Sequence, residues 1–257
     1  MPITTVTCLP PVAVQWQRWE NSPIDPGFVT VFRLKLPDNK QFVAEWHSLL
    51  QPREQQRAAR FSQLANRNAY ILGRGLFRLI GSQLMGQSPQ TVSIETTPAG
   101  KPFLCHALNW YLSVSHTGDW VVLAVGQTPV GVDVEYLNTR FIIDDLIPSV
   151  LTITEQRAMT ESTNARLLFY KLWTRKEALV KATGKGIGDD FVNVPALEGT
   201  HSVDSQLIGG VGPWYVRSFL VADSYPTALA NIGTSLPASP LFYEIDPTRL
   251  SHWVAVR

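Results

Sequence analysis

The spacing of apolar residues changes along the chain, and each change marks an element. Val29, Val31, Arg33 and Lys35 alternate with Phe32, Leu34 and Leu36, which predicts a strand ended by Pro37. Phe42 to Leu50 has the pattern of a short amphipathic helix. Pro52 suits the first position of a further helix, where its missing N–H costs nothing. Helical spacing then runs to about Met85, with a break expected near Ser62 and a stop at Gly86. Trp110–Ser115 and Trp120–Val125 read as two strands around the turn Thr117-Gly118-Asp119. A further strand is expected at Val130–Glu135. Thr152-Ile153-Thr154-Glu155 is a capping box that opens a helix near Ile153. Asn164 caps the next helix, which ends about Thr183 at Gly184. Trp214–Val221 and Thr227–Ile232 predict a last hairpin around Asp223-Ser224-Tyr225. The first 30 residues, rich in Pro and Trp, predict a surface arm held by Trp16 and Trp19, and 236–248 an irregular tail.

The two hairpins resemble each other. Trp110-Tyr111, a strand, Gly118-Asp119-Trp120 and a strand ending at Gly126 match Trp214-Tyr215, a strand, Asp223-Ser224-Tyr225 and a strand ending at Gly233. Each follows a long helix. The expected fold is therefore α+β: two similar α/β halves, each a small, mostly antiparallel sheet packed against a long helix. Gln127-Thr128-Pro129 is the expected seam, giving halves 1–127 and 128–257.

Composition narrows the function classes. A 257-residue chain with 45% hydrophobic and 17% charged residues has enough apolar surface for a packed core. A net charge of +1 gives no reason to expect a nucleic acid or an anionic membrane as partner. No apolar run is long enough to span a bilayer, and the N-terminus lacks the basic start and apolar core of a signal peptide. Two cysteines, Cys8 and Cys105, make neither a disulfide framework nor a zinc site. A cytoplasmic protein is the expectation.

Chemistry concentrates in five places. On a strand, Gly131, Asp133 and Glu135 share a face opposite Val130, Val132 and Val134. Two carboxylates so close repel unless a cation sits between them, and oxygen ligands suit Mg²⁺; a solvated strand face is the alternative. Trp173, Glu177 and Lys181 follow at helical spacing on one stripe, so Glu177 is a candidate third carboxylate and Lys181 a candidate for a metal-bound phosphate. An ordinary surface Glu–Lys pair has the same spacing. Ser115-His116 at a strand end can present a hydroxyl and an imidazole to an anion, or simply cap the turn. Gly100-Lys101-Pro102 places a cation on a stiff turn. Finally, Arg53, Arg57, Arg60, Arg67, Arg74 and Arg78 face one acid, Glu54. On a single helix their spacing puts them within an arc of about 100°, a stripe for phosphates, for an acidic partner helix or for solvent.

Taken together, these residues resemble the signature of the 4′-phosphopantetheinyl transferases. Gly131-Val132-Asp133-Val134-Glu135 matches G-[IV]-D-[IV]-E, and about forty residues on, Trp173-Thr174-Arg175-Lys176-Glu177-Ala178-Leu179-Val180-Lys181 matches W-[ST]-x-K-E-[AS]-x-x-K. Ser115-His116 and Gly100-Lys101-Pro102 fall where the long, Sfp-type branch has short motifs of its own. Thr117 stands where the histidine motif often continues with Ser, which keeps the hydroxyl. The resemblance covers about residues 50–233 and implies the fused, monomeric relative of the short trimeric branch; the arm 1–25 has no counterpart in it.

The resemblance implies transfer of 4′-phosphopantetheine from coenzyme A to a serine of an apo acyl or peptidyl carrier protein, with release of 3′,5′-ADP and dependence on Mg²⁺. Asp133, Glu135 and Glu177 are then the metal ligands. Lys181 meets the CoA pyrophosphate. Ser115 and His116 contact phosphate, His116 toward the 3′-phosphate. Lys101 belongs to the adenine and 3′-phosphate site, and Arg53, Arg57 and Arg74 contact CoA phosphates. Trp173 and Lys176 hold the signature helix. Glu177, directly or through a metal-bound water, takes the serine proton, so Glu177 and Lys181 are the catalytic pair. A metal-dependent nucleotide phosphodiesterase and a non-catalytic CoA- or carrier-binding module are the rival readings; the third carboxylate argues against mere binding.

Overall fold

The computed structural model describes residues 2–107, 109–234 and 236–250. In chain order the strands are β1 (Ile3–Cys8), β2 (Gln17–Arg18), β3 (Thr30–Lys35), β4 (Ile94–Thr96), β5 (Pro102–Leu104), β6 (Tyr111–Thr117), β7 (Trp120–Gly126), β8 (Val130–Val134), β9 (Gly199–Asp204), β10 (Trp214–Leu220), β11 (Pro226–Ile232) and β12 (Leu241–Glu244). The α-helices are α1 (Val43–Ser48), α2 (Pro52–Ala59), α3 (Leu64–Met85), α4 (Ile147–Val150), α5 (Ile153–Glu161), α6 (Ala165–Thr183) and α7 (Ser205–Ile208).

These elements form two compact units. One takes in Met1–Val14, Thr97–Lys101 and Thr128–Ala238, the other Gln15–Thr96, Pro102–Gln127 and Ser239–Arg257. Each contains the same succession: a strand, a long helix, then a hairpin whose second strand pairs antiparallel with the first strand. In the first unit this is β8, α6 and the β10–β11 hairpin, with Val132 opposite Leu229. In the second it is β3, α3 and the β6–β7 hairpin, with Phe32 opposite Leu123. The fold is thus α+β with two similar halves, each a small sheet against a long helix.

Each sheet is completed by a strand remote in sequence. In the first unit the order is β8-β11-β10-β1-β9, where β1 runs parallel to β10 and antiparallel to β9. In the second it is β2-β12-β3-β7-β6, where β12 runs parallel to both β3 and β2. The expected surface arm and irregular tail therefore differ from what forms. Ile3–Cys8 is an interior strand that buries Thr4, Val6 and Cys8, and Leu241–Glu244 is a strand between two others. Trp19 does hold its segment, buried edge-on against Phe32. The sequence reading also missed β9 and the β4–β5 hairpin, whose strands are only three residues long.

Local signals explain the two long helices. Asn164 caps α6 by accepting from Leu167 N at 3.0 Å, and Gly184, at φ +82°, stops it. The capping box of α5 forms as expected, with Thr152 N donating to Glu155 at 2.8 Å. The expected break near Ser62 falls between Arg60 and Gln63, so the arginines are divided between α2 and α3 rather than strung on one helix. Each long helix buries its apolar side on its own sheet: α3 through Leu72, Leu76 and Ile80, α6 through Phe169, Leu172 and Leu179. Among the described residues no helix is long and apolar enough to cross a membrane.

Candidate active site

The carboxylates of the first unit meet where β8 passes under α6. Gly131 makes that crossing close. A Cβ there would lie 2.1 Å from the Ala178 carbonyl oxygen and 2.3 Å from the Ala182 nitrogen, so only glycine fits. At Gly131 and Asp133 the strand face given by the alternation is therefore covered by helix rather than open to water, whereas Glu135, just past the end of β8, is half-buried. Asp133 is buried, and its Oδ1 accepts from Lys181 Nζ at 2.6 Å. Glu177, one turn before Lys181, is buried as well. Burial, then the charge of Asp133, pushes its carboxyl up to about 7 against the opposing pull of Lys181.

Lys181 is the electrostatic centre of the group. Burial works against its charge, but Asp133, Glu177 and Glu135 outweigh it, and its proton is held above the ordinary lysine range. All three signature carboxylates thus act on one ammonium. Among the described residues, no three His, Cys, Asp or Glu side chains stand close enough together to hold a metal ion as they are. The donor set still suits Mg²⁺, a hard cation that takes carboxylate oxygens and fills its remaining positions with water and substrate phosphate. The raised affinity of Glu177 for a proton, partly due to Asp133, is the strain a divalent cation would relieve.

The rest of the signature helix is pinned. Lys176 is fully buried and donates to the Val192 and Val194 carbonyls at 2.8 and 2.6 Å, with Glu155 at 2.9 Å. Arg175, equally buried, donates to Ser218 Oγ, Ala196 O and Leu9 O. Trp173 packs against Phe169 and Phe191. These contacts fix the rotation of α6, which decides where Glu177 and Lys181 point. Lys101 also comes to this helix: its Nζ donates to the carbonyls of Val130 at 3.1 Å and Ala182 at 3.2 Å.

In the second unit a cavity of about 1130 Å³ is lined by Arg53, Arg57, Arg60 and Arg74, with Tyr70, Phe61 and the Ser93–Thr96 segment. Glu54 organises it. Its Oε1 receives Arg74 at 3.0 Å, its Oε2 receives Arg78 at 2.6 Å, and Gln51 N donates to it in a capping box. Arg78 is fully buried and also donates to Pro89 O and Val92 O, so it belongs to the core rather than to any phosphate. Arg74 Nη1 and Tyr70 Oη are buried without a hydrogen-bond partner. Two buried donors beside three further guanidinium groups have the chemistry that suits an anion carrying several oxygens. Arg60 and Tyr70 were not among the expected contacts. The spacing of Tyr70 and Arg74, one turn apart, was the available signal, and the guanidinium carbons of Arg57 and Arg74 lie 5.7 and 6.0 Å from the Tyr70 ring centre.

Ser115 and His116 lie near the end of β6, opposite Val122 and Val121. As neighbours on a strand they leave opposite faces. Ser115 is buried, whereas His116 is exposed on the face that bears Leu112 and Val114 and is covered by α3.

Comparison with known proteins bears on this arrangement. A family model described as the 4′-phosphopantetheinyl transferase superfamily matches residues 129–230, and one described as the 4′-phosphopantetheinyl transferase N-terminal region matches 36–128. The chain is 29% identical over 196 residues to the 4′-phosphopantetheinyl transferase psf-1 of Bacillus pumilus, covering 73% of this chain and 80% of that protein. It is 24% identical over 209 residues to the transferase Sfp of Bacillus subtilis, covering 79% and 90%. A mouse relative, L-aminoadipate-semialdehyde dehydrogenase-phosphopantetheinyl transferase, is 27% identical over 168 residues, 60% of this chain and 54% of that protein. The two models adjoin at the start of β8 and together take in α2, α3 and the whole β8–α6 crossing; the chain belongs to the 4′-phosphopantetheinyl transferases, in the Sfp-type branch.

Proposed function

We propose that the protein transfers the 4′-phosphopantetheine group of coenzyme A to a serine hydroxyl of an acyl or peptidyl carrier protein, releasing 3′,5′-ADP, with Mg²⁺ as cofactor. The observation that carries this reading is the buried group under α6: Asp133 and Glu177 gathered about Lys181, whose charge three carboxylates hold. A charged lysine fixed there can meet an anion whose charge grows during the reaction.

Asp133, Glu135 and Glu177 would hold the Mg²⁺, which when bound supplies positive charge to the pyrophosphate. Glu177 accepts the proton of the carrier serine. The serine oxygen bonds to the phosphorus that bears the pantetheine arm, and the bond from that phosphorus to the bridging oxygen of the adenosine phosphate breaks. Lys181 offsets the negative charge left on the departing 3′,5′-ADP. Arg53, Arg57 and Arg74 hold phosphate oxygens of CoA, with Ser115 and His116 as further phosphate contacts and His116 directed to the 3′-phosphate. Phosphoryl transfer needs little else from a protein than position and charge.

Incubation with CoA, Mg²⁺ and an apo carrier protein tests the reading. The carrier gains the mass of one phosphopantetheine and 3′,5′-ADP appears in equal amount. Cleavage of CoA without any carrier would assign the protein to the phosphodiesterases. Binding of CoA with no product would leave only a binding module.

A further inference from the structure

Lys101 stands apart from the charges around which the site is organised. It closes the turn of 97–101, where Thr97 N donates to its carbonyl at 2.9 Å and Gly100 N to Thr97 O at 2.8 Å. Its ammonium reaches the first residue of β8 and the last turn of α6 at once, through Val130 O and Ala182 O. No carboxylate contributes: burial alone draws its proton affinity down to about 8. A lysine desolvated to this degree is unfavourable unless its N–H groups are used, and here two of the three meet backbone carbonyls. One of these, Ala182 O, lies at the negative end of the α6 dipole, where a cation is favoured. The turn also abuts the exit of α6, since a Cβ on Gly186 would lie 3.3 Å from Ala99.

We propose that Lys101 is a positioning residue that clamps the start of β8 to the end of α6 and so sets the distance of Asp133 from Glu177 and Lys181, rather than a contact of the CoA adenine or 3′-phosphate. The crossing it clamps is the one that Gly131 brings to backbone contact. Val130 lies three residues before Asp133, and Ala182 follows Lys181 directly. The inference rests on the reading of the β8–α6 group as the reacting site.

The test compares Lys101→Met with wild type, with Lys101→Arg as a second variant that keeps donors for the carbonyls. In the ligand-free protein, hydrogen exchange of the amides of β8 and the last turn of α6 should quicken by about tenfold or more in Lys101→Met, the equivalent of one charged hydrogen bond. Lys101→Arg should restore at least part of the protection. With carrier protein and Mg²⁺, kcat of Lys101→Met should fall at least about tenfold, by the same factor for CoA and dephospho-CoA, with KM nearly unchanged. Unchanged exchange would overturn the proposal, and so would a KM increase confined to CoA, which would return Lys101 to the 3′-phosphate. If Lys101→Met does not fold, Lys101→Gln, whose shorter amide cannot span both carbonyls, is judged by the same criteria. A wild type without transferase activity would defeat the reading of the reaction but leave the exchange measurement to judge the clamp.

Discussion

Gly131→Ala is the most direct test of how the site is built. The added Cβ would lie 2.1 Å from Ala178 O, 2.3 Å from Ala182 N and 2.9 Å from Ala182 Cα. All three are backbone atoms of α6, so no side-chain rotation relieves the clash. Ordinary contact begins near 3.4 Å, and the closest pair must therefore open by about 1.3 Å. Overpacking of a tight interior costs about 1–3 kcal/mol, and a rigid helix backbone places this case at the upper end. For a chain of this size the melting temperature should fall by about 5–10 °C. The helix that retreats carries Glu177 and Lys181, while Asp133 stays on the strand. A displacement of about 1 Å at a reacting centre costs about 10² in rate. A thermal melt and steady-state rates at saturating CoA and carrier measure both effects. A Gly131→Ala protein that melts with wild type and turns over normally would refute the close crossing and the dependence of the site on it.

Three further outcomes are expected. Glu177→Gln should lower turnover by about 10²–10⁴ while CoA still binds. In metal-free protein the raised Glu177 pKa should make stability fall by about 3 kcal/mol as pH rises from 4.5 through 7. The Glu177→Gln variant should lack that loss, and denaturant titrations at pH 4 and pH 8 would show it. Glu54→Ala leaves Arg78 charged and fully buried without its carboxylate, and should cost about 3–5 kcal/mol, read as a lower denaturant midpoint at unchanged slope. His116→Ala should weaken CoA about ten- to a hundredfold while leaving dephospho-CoA nearly unaffected, which calorimetry can compare directly.

Much of the site was legible because its signals are local. The i, i+2 alternation of β8 and the i, i+4, i+8 stripe of α6 follow from backbone geometry, and they put Asp133 on one face of its strand and Glu177 with Lys181 on one face of their helix before any packing was known. The caps at Asn164 and Gly184 and the box at Thr152–Glu155 are satisfied within a few residues of chain, and the helices end where these predict. The two similar hairpins exposed the repeated architecture for the same reason.

Tertiary structure decided whatever depended on distant partners. Ile3–Cys8 and Leu241–Glu244 lie near opposite ends of the chain, and each becomes an inner strand through pairing with residues some two hundred positions away, which no local pattern reports. The arginines show the same limit. Arg53, Arg57, Arg74 and Arg78 recur at helical spacing, yet Arg78 is sealed in the core by Glu54 and two carbonyls while the other three line a cavity. Lys101 looked like a free cation on a turn and instead reaches the carbonyls of two other elements. Periodicity fixes which way a side chain leaves its own helix or strand, because that is set by the backbone to which it is bonded. What a charge meets when it gets there is set by which backbone carbonyls and carboxylates the fold brings to it, and desolvation makes that meeting decisive.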